Sequence, residues 1–158
     1  MVEFFNDSNT SLNRVVGHVL HGLEGMCMPL EDNTGVVAVN IASDPVGNAV
    51  RKDPTAKGSF VYAMTGEEAE GFVENEPAPS RASRSVVFFQ NGMEFVGKTG
   101  IDSGIVAGDK ITATDGLFVK AVDGDKVIGE CYEDGVNSED DTYGTIPIKV
   151  VDRYTLGS

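Results

Sequence analysis

Few residues in this chain have the types and spacing that chemistry needs. His18 and His21 form a His-x-x-His pair, and Cys27 follows them. On a helix such a pair shares one face, as a metal site requires. No neighbouring Glu supplies a metalloprotease base, and no third or fourth ligand is evident, so surface or interface histidines fit the pattern as well. Asp123-Gly124-Asp125 opens like a calcium loop. Its fifth and sixth positions are Val127 and Ile128, where an oxygen ligand and a glycine are required, so a tight turn is expected instead. Ser103 lies in Gly100-Ile101-Asp102-Ser103-Gly104, without a nucleophile-elbow frame or an identified base. Asn6-Asp7-Ser8 and Asn9-Thr10-Ser11 match the glycosylation pattern without a secretion signal. No strand–GxGxxG–helix unit is present. The expectation is a non-enzyme with no cofactor and no bound metal.

Composition narrows the class further. The 158 residues suit one domain with a real core. Nineteen Gly and six Pro suit a turn-rich β protein. Twelve Lys and Arg stand against 25 Asp and Glu, a net charge of −13. Such a surface repels phosphate backbones, so nucleic acid is not an expected partner. It is either a solvated acidic surface or the complement of a basic partner, and composition does not choose between them. No apolar run approaches a membrane span. Cys27 and Cys131 do not make a disulfide framework, which points to synthesis in a reducing compartment.

The elements that would position these residues are mostly short strands. Met1 to Phe5 is apolar and ends in Phe4-Phe5. The polar run that follows makes 1–11 an N-terminal arm, and 12–158 one mainly-β domain. Leu12, Val15, Val16, Val19, Leu20 and Leu23 have the spacing of one helix face, although Val and Gly are mediocre helix formers and strands at 14–16 and 18–20 remain an alternative. Residues 35–42, 58–64, 85–89, 94–98 and 145–151 read as strands. Residues 43–55 read as a loop that exposes Arg51 and Lys52, and 65–76 as an acidic loop or short helix. Pro77 and Pro79 make 74–83 a candidate subdomain junction. Asn91-Gly92 signals a hairpin between 85–89 and 94–98. No convincing internal repeat stands out.

The clearest pattern is the stretch 105–133. Lys110-Ile111-Thr112-Ala113-Thr114 alternates polar and apolar side chains. Asp115-Gly116 is a strong hairpin signal, and Asp123-Gly124-Asp125 a second turn. A β-meander follows. In its order Gly108-Asp109-Lys110-Ile111-Thr112, then Asp115-Gly116, then Val119-Lys120-Ala121, then Val127-Ile128-Gly129, the stretch resembles bacteriophage capsid cement, or head decoration, proteins. The resemblance covers roughly the C-terminal third of the chain.

That resemblance implies a small β-barrel or β-tulip-like domain built from hairpins, with one or two short helices. It implies a homotrimer that binds the major capsid protein on the outer surface of the virion, after synthesis in the host cytoplasm, and no membrane. The expected capsid contacts are Phe4 and Phe5 in the arm, with Arg51 and Lys52 as weaker surface candidates. The competing readings are a metal-dependent or hydrolytic β-barrel enzyme using His18 and His21, and another phage structural module such as a tail or fibre protein.

Overall fold

The computed structural model describes residues 15–21, 27–29, 45–55, 60–75 and 85–157. These form twelve strands and no helix: β1 (Val19–His21), β2 (Cys27–Pro29), β3 (Ala49–Lys52), β4 (Phe60–Tyr62), β5 (Gly71–Val73), β6 (Ser85–Phe88), β7 (Glu94–Thr99), β8 (Lys110–Thr114), β9 (Leu117–Lys120), β10 (Lys126–Cys131), β11 (Val136–Asn137) and β12 (Gly144–Thr155). All pairings are antiparallel. One sheet runs β2-β6-β5-β3-β4, the other β1-β7-β12-β10-β8-β9 with β11 beside β12. The mainly-β expectation holds. The expected short helices have no counterpart among the described residues.

The two sheets repeat one design. Leaving out β1 and β11, β2-β6-β5-β3-β4 matches β7-β12-β10-β8-β9 in order. The registers match too. In the first hairpin Val50 faces Tyr62 and Lys52 faces Phe60; in the second Ile111 faces Lys120 and Ala113 faces Phe118. Val50 faces Gly71 as Ile111 faces Gly129, and Gly71 faces Phe88 as Gly129 faces Val150. The sequence reading missed this repeat, yet FVYAMTGEEAEG at 60–71 aligns with FVKAVDGDKVIG at 118–129. A Cβ on Gly71 would lie 2.2 Å from the Val87 carbonyl oxygen, and one on Gly129 2.5 Å from that of Lys149, which explains a glycine at both equivalent places.

A backbone clasp recurs through both sheets. A turn with glycine at its third position donates the glycine N–H to a carbonyl on a distant segment. The carbonyl of the next residue then accepts the N–H of that same distant residue. Gly17 and His18 clasp Val96, Gly47 and Asn48 clasp Val73, Gly92 and Met93 clasp Val150, Gly108 and Asp109 clasp Cys131, and Gly124 and Asp125 clasp Leu156, all at 2.7–3.1 Å. Each glycine has φ between 82° and 98°, which few other residues adopt.

The two copies turn opposite faces to the shared core. The first contributes Ala49, Phe72 and Val87; the second contributes Ile111, Cys131, Ile148 and Phe118. Phe95 of β7 sits at the centre, stacked on Phe72 with ring centroids 4.2 Å apart and edge-on to Phe118 at 5.3 Å. The other face of the first sheet buries Val50, Phe60, Val73 and Val86 in a second cluster. Burial on both faces is why β5 and β6 read as continuous apolar runs, while β8, with one solvated face, alternates.

Several expectations need correction. Residues 15–18 form a turn and Val19–His21 a strand paired to β7, so the helix reading of 12–23 fails there; of the strand alternative, the strand at 18–20 is found one residue later, whereas Val15 and Val16 lie in the turn. Arg51 and Lys52 end strand β3 and are not in a loop. Asn91-Gly92 does not close a hairpin, because β6 and β7 belong to different sheets. Its turn has positive φ at Gly92 but not at Asn91, the type II form, which does not fold two strands back on each other. Asp115 (φ 52°) and Gly116 (φ 81°) are both left-handed, the type I′ geometry, and here the predicted hairpin forms as β8–β9; the expected meander does not continue, because β10 crosses back to pair with β8 and β12 instead of β9. The strand expected at 35–42, the arm at 1–11 and most of 74–83 lie outside the described residues.

Candidate functional site

A cleft of about 650 Å³ lies where the two sheets meet. Four segments build it. β3 brings Arg51 and Lys52, the turn after β4 brings Glu67, Glu68 and Glu70, the end of β6 brings Phe88 and Phe89, and β12 brings Arg153. Three of the chain's twelve cations thus gather here.

Each cation is held. The Arg51 Nη2 donates to Glu67 Oε2 at 2.5 Å, with the side chains 26% and 32% exposed. Glu67 Oε1 also accepts the Met64 N–H at 2.9 Å, which fixes the carboxylate over its own turn. That backbone hydrogen bond, with Arg51 adding to it, holds the Glu67 carboxyl below its ordinary range. Arg153 Nη1 lies 3.4 Å from Glu68 Oε1, and its Nη2 donates to the Ala69 carbonyl. Lys52 Nζ sits 5.5 Å above the Phe88 ring, and the Arg153 guanidinium 5.9 Å from that of Phe89. The Lys52 N–H donates to Glu70 Oε1 at 2.6 Å. Arg51 Nε is buried without a hydrogen-bond acceptor. The arrangement offers recognition by charge and by aromatic faces.

A second cleft of about 360 Å³ lies between the loops at 102–104 and 135–137. Asp102 and Asn137 brace it through Asp102 N–H to Asn137 Oδ1 at 3.0 Å and Asn137 Nδ2 to Asp102 Oδ1 at 2.8 Å. Ile101, Val106, Tyr132 and Val136 are exposed on these loops.

The residues singled out from sequence fare differently. Arg51 and Lys52 come together in the main cleft, Lys52 exposed and Arg51 half-buried. Phe4 and Phe5 lie outside the described residues. His18 is exposed beside β1, and the helix face it would share with His21 is absent. No group of three or more His, Cys, Asp or Glu able to hold a metal occurs among the described residues. Asp123–Asp125 forms the expected tight turn, with Asp125 Oδ2 accepting the Val122 N–H at 2.9 Å. Glu67, Phe88, Phe89 and Arg153 were not anticipated. Only Glu67 carried a signal: it aligns in the repeat with Asp125, which accepts the equivalent turn N–H.

The fold defines an antiparallel, two-sheet β protein whose strand order is repeated in both sheets. Comparison with family models and with curated proteins returns no match for this chain.

Proposed function

We propose that this chain is a phage capsid decoration protein that binds the outer head surface between capsomers and stabilises it by contact, without a reaction. The observation that carries the proposal is the stretch 105–133. The residues that resemble the decoration family lie on three neighbouring strands and their turns, hydrogen-bonded in the order β10-β8-β9, with a type I′ turn at Asp115-Gly116. On this reading the two sheets belong to a barrel- or tulip-like domain. The partner is the major capsid protein, and a homotrimer repeats each contact three-fold on the virion surface.

Arg51 and Lys52 line a cleft where three cations meet three carboxylates, so in an otherwise acidic protein its charge is balanced and Lys52 is exposed within it. Adjacent side chains of an extended chain point to opposite sides, so on this reading two partners, the arm's own subunit and a neighbour, would bury Phe4 and Phe5 between them. Burying one Phe side chain contributes roughly 1.5–3 kcal/mol, which accumulates over a head.

The test is co-sedimentation with capsids before and after expansion, using the full chain, a chain lacking residues 1–10, and Lys52→Glu. Lys52 is the clean cleft probe, because Arg51 is tied into the fold through Glu67. Binding by the full chain and its loss in either variant, with melting preserved, supports the proposal. A full chain that stays in the supernatant with both capsid forms refutes it.

A further inference from the structure

Four dipeptides in this chain place glycine after Asn or Asp: Asn91-Gly92, Asp115-Gly116, Asp123-Gly124 and Asp134-Gly135. In a flexible chain these are the pairs most prone to cyclise, because glycine has no side chain to hinder its amide. The glycine nitrogen attacks the side-chain Cγ. The N–Cγ bond forms, and the nitrogen gives up its proton. Asn91 then loses ammonia, whereas an Asp loses water. Water reopens the succinimide at either carbonyl and leaves aspartate or isoaspartate. Water is the only co-reactant.

In the folded chain all four glycine nitrogens are already engaged. Gly92 N–H donates to the Val150 carbonyl at 2.8 Å, and Gly116 to that of Ala63 at 2.9 Å. Gly124 donates to Leu156 and Gly135 to Ile105, both at 2.9 Å. The acceptors lie on three segments: Ala63 after β4, Ile105 before β8, and Val150 and Leu156 in and just after β12. Three of the contacts are closed from the other side as well. Val150 N–H returns to Met93 and Leu156 N–H to Asp125, while the Gly116 carbonyl accepts from Ala49 N–H and from Asn48 Nδ2. To attack, each nitrogen must leave its acceptor and swing toward the preceding side chain, which means opening that part of the sheet.

We propose that these four dipeptides are latent succinimide sites whose reaction is gated by local opening of the fold. The gating is graded. Gly116 is buried and bonded on both sides, so Asp115 is the most protected. The inference does not depend on the proposed capsid role.

The experiment ages the full chain, native and in guanidinium chloride, at one mildly alkaline pH and physiological temperature. Peptide mapping follows deamidation at Asn91 and isoaspartate at the three Asp sites. Short peptides of the same sequences give the reference rates. The expected result is native conversion about tenfold or more slower than in the unfolded chain at every site, the factor that an opening cost of about 1.4 kcal/mol provides. Asp115 is expected to show the largest ratio. Native conversion at Asn91 or Asp115 as fast as in the unfolded chain overturns the proposal.

Discussion

Replacing Gly116 by alanine separates two costs that the structure keeps distinct. Gly116 has φ +81°, and a Cβ there would lie 2.8 Å from Tyr62 Cγ and 3.0 Å from Cδ1. The left-handed backbone alone costs an L-residue about 1–2 kcal/mol. Driving a methyl group into the Tyr62 ring adds about 1–3 kcal/mol of overpacking, because the ring must move. Gly108 is the control. It has φ +97° and open space around its would-be Cβ, so Gly108→Ala bears only the backbone cost. Each kcal/mol lowers Tm by about 2–4 °C in a chain of this size. The expected order in thermal unfolding is wild type, then Gly108→Ala, then Gly116→Ala. In a Tyr62→Ala background the extra cost at Gly116 should vanish, as a double-mutant cycle would report. If Gly116→Ala is no worse than Gly108→Ala, the packing of the β8–β9 turn against Tyr62 is wrong.

Two further outcomes follow from named contacts. Phe95 is fully buried between Phe72 and Phe118, so Phe95→Ala should cost about 3–5 kcal/mol, read as a lower urea midpoint at unchanged slope. Glu67 has a folded carboxyl pKa below its unfolded value, so its contribution is complete above the usual carboxylate range and fades as pH falls through the lower folded value. Glu67→Gln should therefore lower Tm at neutral pH by an amount equivalent to about 1 kcal/mol or less, given the partly solvated pair. The gap to wild type should close on acidification; a gap that persists at low pH would contradict the pairing.

Local turn chemistry was legible in the sequence where it alone decides the structure. Asp115-Gly116 and Asn91-Gly92 carry the same signal, but only the first closes a hairpin. At Asn91 the next strand must cross to the other sheet, and the first turn residue keeps a negative φ. β3 was hidden because four residues ending in Arg51-Lys52 have no clean alternation, and their pairing comes from β4 and β5. The repeat was obscured because its copies bury opposite faces. Ala49, Phe72 and Val87 in one correspond to Lys110, Glu130 and Lys149 in the other, so hydropathy diverges while turn glycines and register persist. The helix reading of 12–23 failed because Val15, Val16 and Val19 fit a 3.6-residue period and also a turn entering a strand. The main cleft was half visible. Arg51 and Lys52 stood out as cations in an acidic chain, but their partners arrive from separate segments that only the tertiary fold unites.

The clasps also govern when this fold can form. Val150 secures the turn that launches β7, and Leu156 secures the turn between β9 and β10. β12 lies between β7 and β10 and joins them into one sheet. A nascent chain therefore lacks the strand that completes its second sheet until almost all of the given sequence has left the ribosome. Such long-range closure makes folding slow and leaves β7 and β10 with unpaired edges in the meantime. Chains arrested before residue 150 should be the species that chaperones hold and that aggregate, whereas chains released after it can close both sheets.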